Sequence, residues 1–137
     1  MTSPRFGRAW LALALALGLH VLDEALTGFL SVYNPAVESI RARAPWIPLP
    51  TFTFPVWLGG LIAAVVLLLL LSRFAFRGAR WMIPVALVLG VLMTFNGLLH
   101  FAGSFYFGRP MPGVYSSPVL LAASWWLIAS ARRQRRS

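Results

Sequence analysis

Long apolar stretches alternate with short polar or proline-rich ones along the whole chain. A membrane span needs about 20 mostly apolar residues to cover a hydrocarbon core of about 30 Å. Residues 10–30, 55–72, 81–103 and 114–131 have this character, the second most plainly, through the run LIAAVVLLLLL. The pattern predicts an all-α polytopic membrane protein, one domain built as a four-transmembrane-helix bundle. Between the first two spans, residues 31–54 read as a proline-rich outer loop carrying Pro35, Pro45, Pro48 and Pro50. Its segment APWIPLPTFTFP is apolar enough to lie on the membrane interface, as a linker or as a lid folded back over the bundle. Residues 132–137 form a basic tail.

Composition supports a membrane protein. The 137 residues are 59% hydrophobic and only 11% charged, with a mean hydropathy of +0.77, far from the balance of a soluble domain. A net charge of +9 would point to nucleic acid in a soluble protein. Here the basic residues flank apolar segments, so they report topology, and the expected partner is the lipid bilayer rather than nucleic acid. With no cysteine in the chain, disulfides and thiolate ligands are excluded, and any metal must be held by nitrogen and oxygen.

All twelve basic residues are arginine. Arg5 and Arg8 precede the first span, Arg73, Arg77 and Arg80 join the second and third, and Arg132, Arg133, Arg135 and Arg136 lie in the tail; only Arg41, Arg43 and Arg109 fall on the opposite side. The positive-inside rule then predicts an N-in/C-in protein with both termini cytoplasmic, and the composition points to a bacterial inner membrane. The start of the chain also resembles a signal peptide, since ALALA offers a cleavage pattern. Cutting after Ala16 would leave a very short apolar core, and the apolar pattern runs on to Leu30, so the segment is expected to be a span.

The chain has three acids and two histidines, and all but Glu38 fall inside the spans. Ionisable groups at the bilayer centre cost about 2.5–3.5 kcal/mol each on insertion scales, so they face the bundle interior and mark sites. His20, Asp23, Glu24 and Thr27 lie at i, i+3, i+4 and i+7; Asn96 and His100 lie at i and i+4. Each set makes one helical stripe. At about 1.5 Å per residue the stripes fall within about 10 Å of each other in depth, in the outer half of the bilayer. They are predicted to meet in one site that opens outward near Tyr106, Arg109, Tyr115, Ser116 and Ser117.

Two imidazoles, two carboxylates and an amide, without sulfur, suit Zn(II), Fe(II) or Mn(II), with His20, Glu24 and His100 as ligands. Asp23 would then be an outer partner or general base, sharing acid–base work with Glu24. Asn96 would be a weak ligand or substrate donor, and Thr27, Tyr106, Arg109 and Tyr115 supporting or substrate-binding residues. The expected substrate is small and apolar or lipid-like. The spacing matches neither the His-Glu-x-x-His zincin motif nor the Glu-x-x-His of di-iron bundles, so it names no chemistry. Three other readings stand beside it: metal-free acid–base catalysis, a proton or ion relay that calls for a homo-oligomer, and a polar lock through pairs such as His20–Asn96 or Asp23–Arg109.

Several features read as structural. Gly59, Gly60, Ala63 and Ala64 suit close helix packing. Met82 and Met93 fit a core, and Trp10, Trp57 and Trp81 an interfacial belt. PMPGVYSS reads as a turn into the fourth span, with no spacing that ties Ser116 or Ser117 to a base.

The segments HVLDE and NGLLHFAGSFYFGRPMPGVYSSP resemble the HXXEE family of small bacterial membrane proteins. His20 and Glu24 fit its His-x-x-Glu-Glu motif, with Asp23 in place of the first Glu. Asn96 and His100 fit a later Asn and His pair, and Pro112 and Gly113 a following turn. The resemblance implies a shared fold and a shared site and assigns no activity.

Overall fold

A computed structural model describes residues 3–136, and all regular secondary structure among them is helical. The order is α1 (Pro4–Thr27), α2 (Leu30–Arg43), α3 (Phe54–Phe76), α4 (Met82–Phe107) and α5 (Ser117–Arg136). Three of these, α1, α3 and α4, are long and apolar enough to cross a membrane. This is what an integral membrane protein requires. The fourth expected span does not qualify. Residues 114–116 belong to a turn, and the end of α5 carries Arg132, Arg133, Arg135 and Arg136, leaving too short an apolar stretch. The expected tail is helical up to Arg136, with its cations at the negative end of the helix dipole.

Helix α1 is the centre of the molecule. Phe6, Ala9, Trp10, Leu13, Ala16 and Leu17 recur at helical spacing and are buried, and the same stripe continues through His20, Val21 and Glu24. It packs on α3 to one side and α5 to the other, and α5 in turn packs on α4. Neighbours run antiparallel: Ser3 N–H donates to Phe76 O at 2.8 Å, and Ser3 Oγ donates to Gln134 Oε1 at 2.5 Å. The start of α1 therefore meets the ends of α3 and α5. Arg5, Arg8, Arg73, Arg77 and the α5 arginines gather at that end of the bundle.

Trp10 is not in a belt. It is 1% exposed, and its Nε1–H donates to Leu68 O at 2.8 Å, tying α1 to α3. Trp57 is also buried, whereas Trp81 is half exposed. Met82 lies in the core, and Met93 packs against it. Gly59 and Gly60 face open space, and the close approach is made instead by Gly90 and Gly97 of α4, against Ile128 and Leu121 of α5. Helix α3 turns much of its apolar surface outward, including Val56, Ile62, Val66, Leu67 and Leu70. Such a face is at home in hydrocarbon.

The first span was expected to run to Leu30, but α1 ends at Thr27, because Gly28 adopts the left-handed conformation (φ 80°) and its N–H donates back to Glu24 O. The proline-rich segment differs more. Its first part is helix α2, with Pro35 inside it. The following segment, which has no regular secondary structure, is tied to α2 by Asn34, whose Nδ2 donates to Phe52 O at 2.8 Å and whose Oδ1 accepts from Phe52 N–H at 3.0 Å. Tyr33 Oη donates to Pro50 O at 3.0 Å. Phe29 stacks between Tyr33 and Trp57, with centroid separations of 5.5 and 5.8 Å. Helix α2 is thereby held across the end of the bundle opposite the arginine cluster.

Candidate metal centre

His20 and Glu24 lie one turn apart near the end of α1, at the point where its buried stripe turns from apolar to polar. His100 projects from the last third of α4. Both helices pack on α5, which brings the three side chains together. His20 is 1%, Glu24 5% and His100 6% exposed, so water does not separate them. His20 Nε2 lies 3.2 Å from His100 Nε2. Glu24 Oε1 is 3.4 Å from His20 Nε2 and 3.1 Å from His100 Nε2. The two imidazoles meet edge to face, at 80°.

That triangle has the dimensions of a ligand set. A tetrahedral ion with bonds of about 2.0–2.1 Å spaces its donors roughly 3.3–3.4 Å apart. His20, Glu24 and His100 are positioned so that they could hold a metal ion. Two imidazole nitrogens and one carboxylate oxygen on one side leave further coordination positions free for substrate or water. The donors are borderline to hard, which fits Zn(II), Fe(II) or Mn(II).

The hydrogen bonds around the triangle orient it. Ser116 Oγ–H donates to Asp23 Oδ2 at 2.7 Å, and Ser116 N–H donates to the same oxygen at 2.9 Å. A hydroxyl has one proton, so with it on Asp23 the Ser116 oxygen accepts from His20 Nδ1–H, at 2.8 Å. This tautomer turns the His20 Nε2 lone pair towards His100 and Glu24, as a ligand requires. Asp23 thus acts through Ser116 and does not touch the triangle.

Gly113 closes the site from the turn before α5. Its φ is +88°, and a Cβ there would lie 2.6 Å from His100 Cε1 and 2.9 Å from Glu24 Cγ. Its carbonyl accepts from Ser117 Oγ at 2.8 Å. Phe29 covers the other side, its ring tilted over His100 at 5.8 Å.

The expected meeting of the two stripes is observed for His20, Glu24 and His100. The remaining expected residues are placed elsewhere. Thr27 is exposed, and its hydroxyl donates to Asp23 O at 2.6 Å, because the stripe rotates out of the bundle as α1 ends. Tyr106 is 84% exposed. Arg109 and Tyr115 line a separate groove with Phe105 and Pro118. Tyr115 also borders the outward face of Asp23 and Ser116. Asn96 lies beside His100 in a cavity wall, outside the triangle. Neither pair expected of a polar lock forms: His20 is bonded to Ser116 and His100, and Asp23 to Ser116.

Sequence reasoning places Ser116 only near the opening of the site and Gly113 only in a turn; that Ser116 bonds His20 and Gly113 packs on two of the donors is found in the structure alone. Replacing Ser116 by alanine removes the acceptor that holds His20 Nδ1–H. A Ser116→Ala variant is expected to bind metal about 10–100-fold more weakly with little loss of fold, as for other outer partners of ligating histidines. Competition with a chelating dye on the detergent-purified protein measures this. No protein-family model, curated protein or solved structure matches the chain.

Proposed function

We propose that the chain is a metal-dependent integral membrane enzyme acting on a small apolar or lipid-like substrate. The observation that carries this reading is the buried triangle of His20 Nε2, His100 Nε2 and Glu24 Oε1, with sides of 3.1–3.4 Å. The bound ion would supply Lewis acidity or activate a small molecule for attack. The protein's own part is to fix three donors and to hold His20 in the ligating tautomer through Ser116 and Asp23. It also excludes bulk water with Phe29 and the Gly113 turn. Asp23, partly exposed and bonded to Ser116, is the carboxylate outside the triangle that would receive a proton.

In this proposal the arginine-rich end faces the cytoplasm and the site lies in the outer half of a bacterial inner membrane. The positive-inside rule supports that orientation, since Arg5, Arg8, Arg73, Arg77 and the α5 arginines share one end. Membership of the HXXEE family rests on the motif residues, of which His20, Glu24 and His100 form the triangle and Gly113 packs on it.

A second reading has its own support. Asp23, Ser116, His20, His100 and Glu24 form one continuous polar chain, which could move protons without a metal. Elemental analysis decides between them. Protein purified gently in detergent, without a histidine tag, is expected to carry stoichiometric Zn, Fe or Mn. A folded His20→Ala, His100→Ala variant is expected to carry none. A parent without metal, even after reloading, overturns the metal reading and leaves the proton chain.

A further inference from the structure

A cavity of about 400 Å³ lies between the start of α4 and the end of α5, walled by Arg80, Ile83, Pro84, Leu87 and Arg135. The first four follow one another at i, i+3, i+4 and i+7, so the residue before α4 and its first two turns present them on one side. The register across the seam places the fifth. Gly90 of α4 faces Ile128 of α5, and Gly97 faces Leu121; seven positions back along α4 and seven on along α5, the same antiparallel register sets Arg135 level with Ile83. Two arginines therefore share one otherwise apolar groove. No acid of the protein answers their charge. The chain has only three acidic side chains, Asp23, Glu24 and Glu38. Asp23 and Glu24 lie about 30 Å along α1 from its start at the arginine-rich end, and Glu38 is in α2, across the opposite end of the bundle. Among the described residues the ion pairs join Glu24 to histidines alone, and both groove arginines are exposed.

We propose that this groove binds an anionic phospholipid, its phosphate taken by Arg80 and Arg135 and one acyl chain laid along Pro84 and Leu87. The head is an anion because two guanidiniums and no acid stand in the wall, and their planar N–H forks match phosphate oxygens in pairs. It is net negative rather than zwitterionic, because a head with its own ammonium would set a third cation beside two, with no acid to offset it. The ligand is a lipid rather than a free phosphate, because Ile83, Pro84 and Leu87 offer nothing to an ion and an apolar wall to a chain. The place is also right for one. The groove sits at the start of α4, one of the three helices long and apolar enough to cross a membrane, where headgroups meet the protein. Beyond Pro84, Val88 and Val91 continue the same side of α4, 60% and 46% exposed, as an apolar track for the chain. The site lies at the opposite end of the bundle from the metal triangle and does not depend on it.

The test counts lipid bound to the full-length protein by native mass spectrometry, from detergent micelles holding equal amounts of dioleoylphosphatidylglycerol and dioleoylphosphatidylcholine. The parent is expected to hold the anionic lipid roughly tenfold more tightly, the worth of two basic residues beside an anionic headgroup. An Arg80→Gln, Arg135→Gln variant is expected to bring the ratio to about one, and each single variant to a value between. An Arg5→Gln, Arg8→Gln variant removes the same charge from the same end of the bundle but none from the groove, and is expected to stay within about twofold of the parent. All four positions are exposed, so the variants are expected to keep the parent's unfolding midpoint; if the groove double variant does not fold, the single variants decide. An equal loss in the two double variants assigns the preference to the general charge of that end and overturns the proposal. So does a parent that holds both lipids equally. Millimolar glycerol phosphate supplies the head without the chain and is expected to displace no phosphatidylglycerol; displacement would make the ligand a soluble phosphate and overturns the lipid.

Discussion

Replacing Gly113 by alanine is expected to dismantle the metal centre while leaving the helices in place. The residue sits at φ +88°, where a side chain costs about 1–2 kcal/mol from the backbone alone. The added methyl would also press on both ligands at once, 2.6 Å from His100 Cε1 and 2.9 Å from Glu24 Cγ. Neither neighbour can retreat freely, since each is buried and each faces the other across the triangle. The turn can escape only by moving, and Ser116, which holds His20 and Asp23, moves with it. Gly113→Ala is therefore expected to lose metal affinity by more than about 100-fold, beyond the effect of losing one outer partner. Its stability in detergent is expected to fall by about 2–4 kcal/mol, combining the backbone term with overpacking. Metal titration and a denaturant melt measure the two effects. Unchanged metal binding in a folded Gly113→Ala protein would show that the turn does not shape the site.

The ligands were legible in the sequence and the bonds that orient them were not, for a physical reason. His20, Glu24 and His100 announce themselves because an ionisable side chain in a long apolar helix is costly and must find company. Helical spacing then says which face each occupies. Ser116 and Gly113 carry no charge and lie in a turn, where no periodicity applies. Ser116 meets Asp23 across 93 positions of chain and His20 across 96. Only the packing of α1 on α5 brings them together.

The helix α2 is a different lesson. Pro35 and the prolines at 45, 48 and 50 give residues 31–54 the pattern of a loop, although Val32, Tyr33, Ala36, Val37 and Ile40 recur at helical spacing. One proline inside a helix removes one hydrogen bond and crowds the carbonyl a turn before it, and this does not outweigh that pattern. The later prolines fall after Arg43, where the chain has left the helix. The end of α1 was marked too: Gly28 follows the polar stripe directly and supplies the left-handed residue that stops the helix.

Glu24→Gln separates a metal centre from a polar lock by the sign of its effect on folding. Glu24 Oε1 is the one carboxylate oxygen in the triangle, 3.1 Å from one imidazole and 3.4 Å from the other. Glutamine keeps the shape and removes the charge. If the triangle exists to hold a dication, its removal leaves the ion without the anion that offsets it in a low-dielectric interior, and affinity is expected to drop by more than about 100-fold. The metal-free protein, by contrast, is then relieved of a buried carboxylate. Its stability is expected to hold steady or rise, because an amide is less costly to bury than an anion. If Glu24 instead locks two protonated histidines, deleting its charge strands them and is expected to cost about 3–5 kcal/mol. Asp23→Asn is the control for charge alone: it lies outside the triangle and acts through Ser116, so it is expected to weaken metal binding by only about 10–100-fold. A metal titration of each variant, and a denaturant melt of each without added metal and with it, measure these effects. The metal centre requires that Glu24→Gln lose the ion and keep the fold.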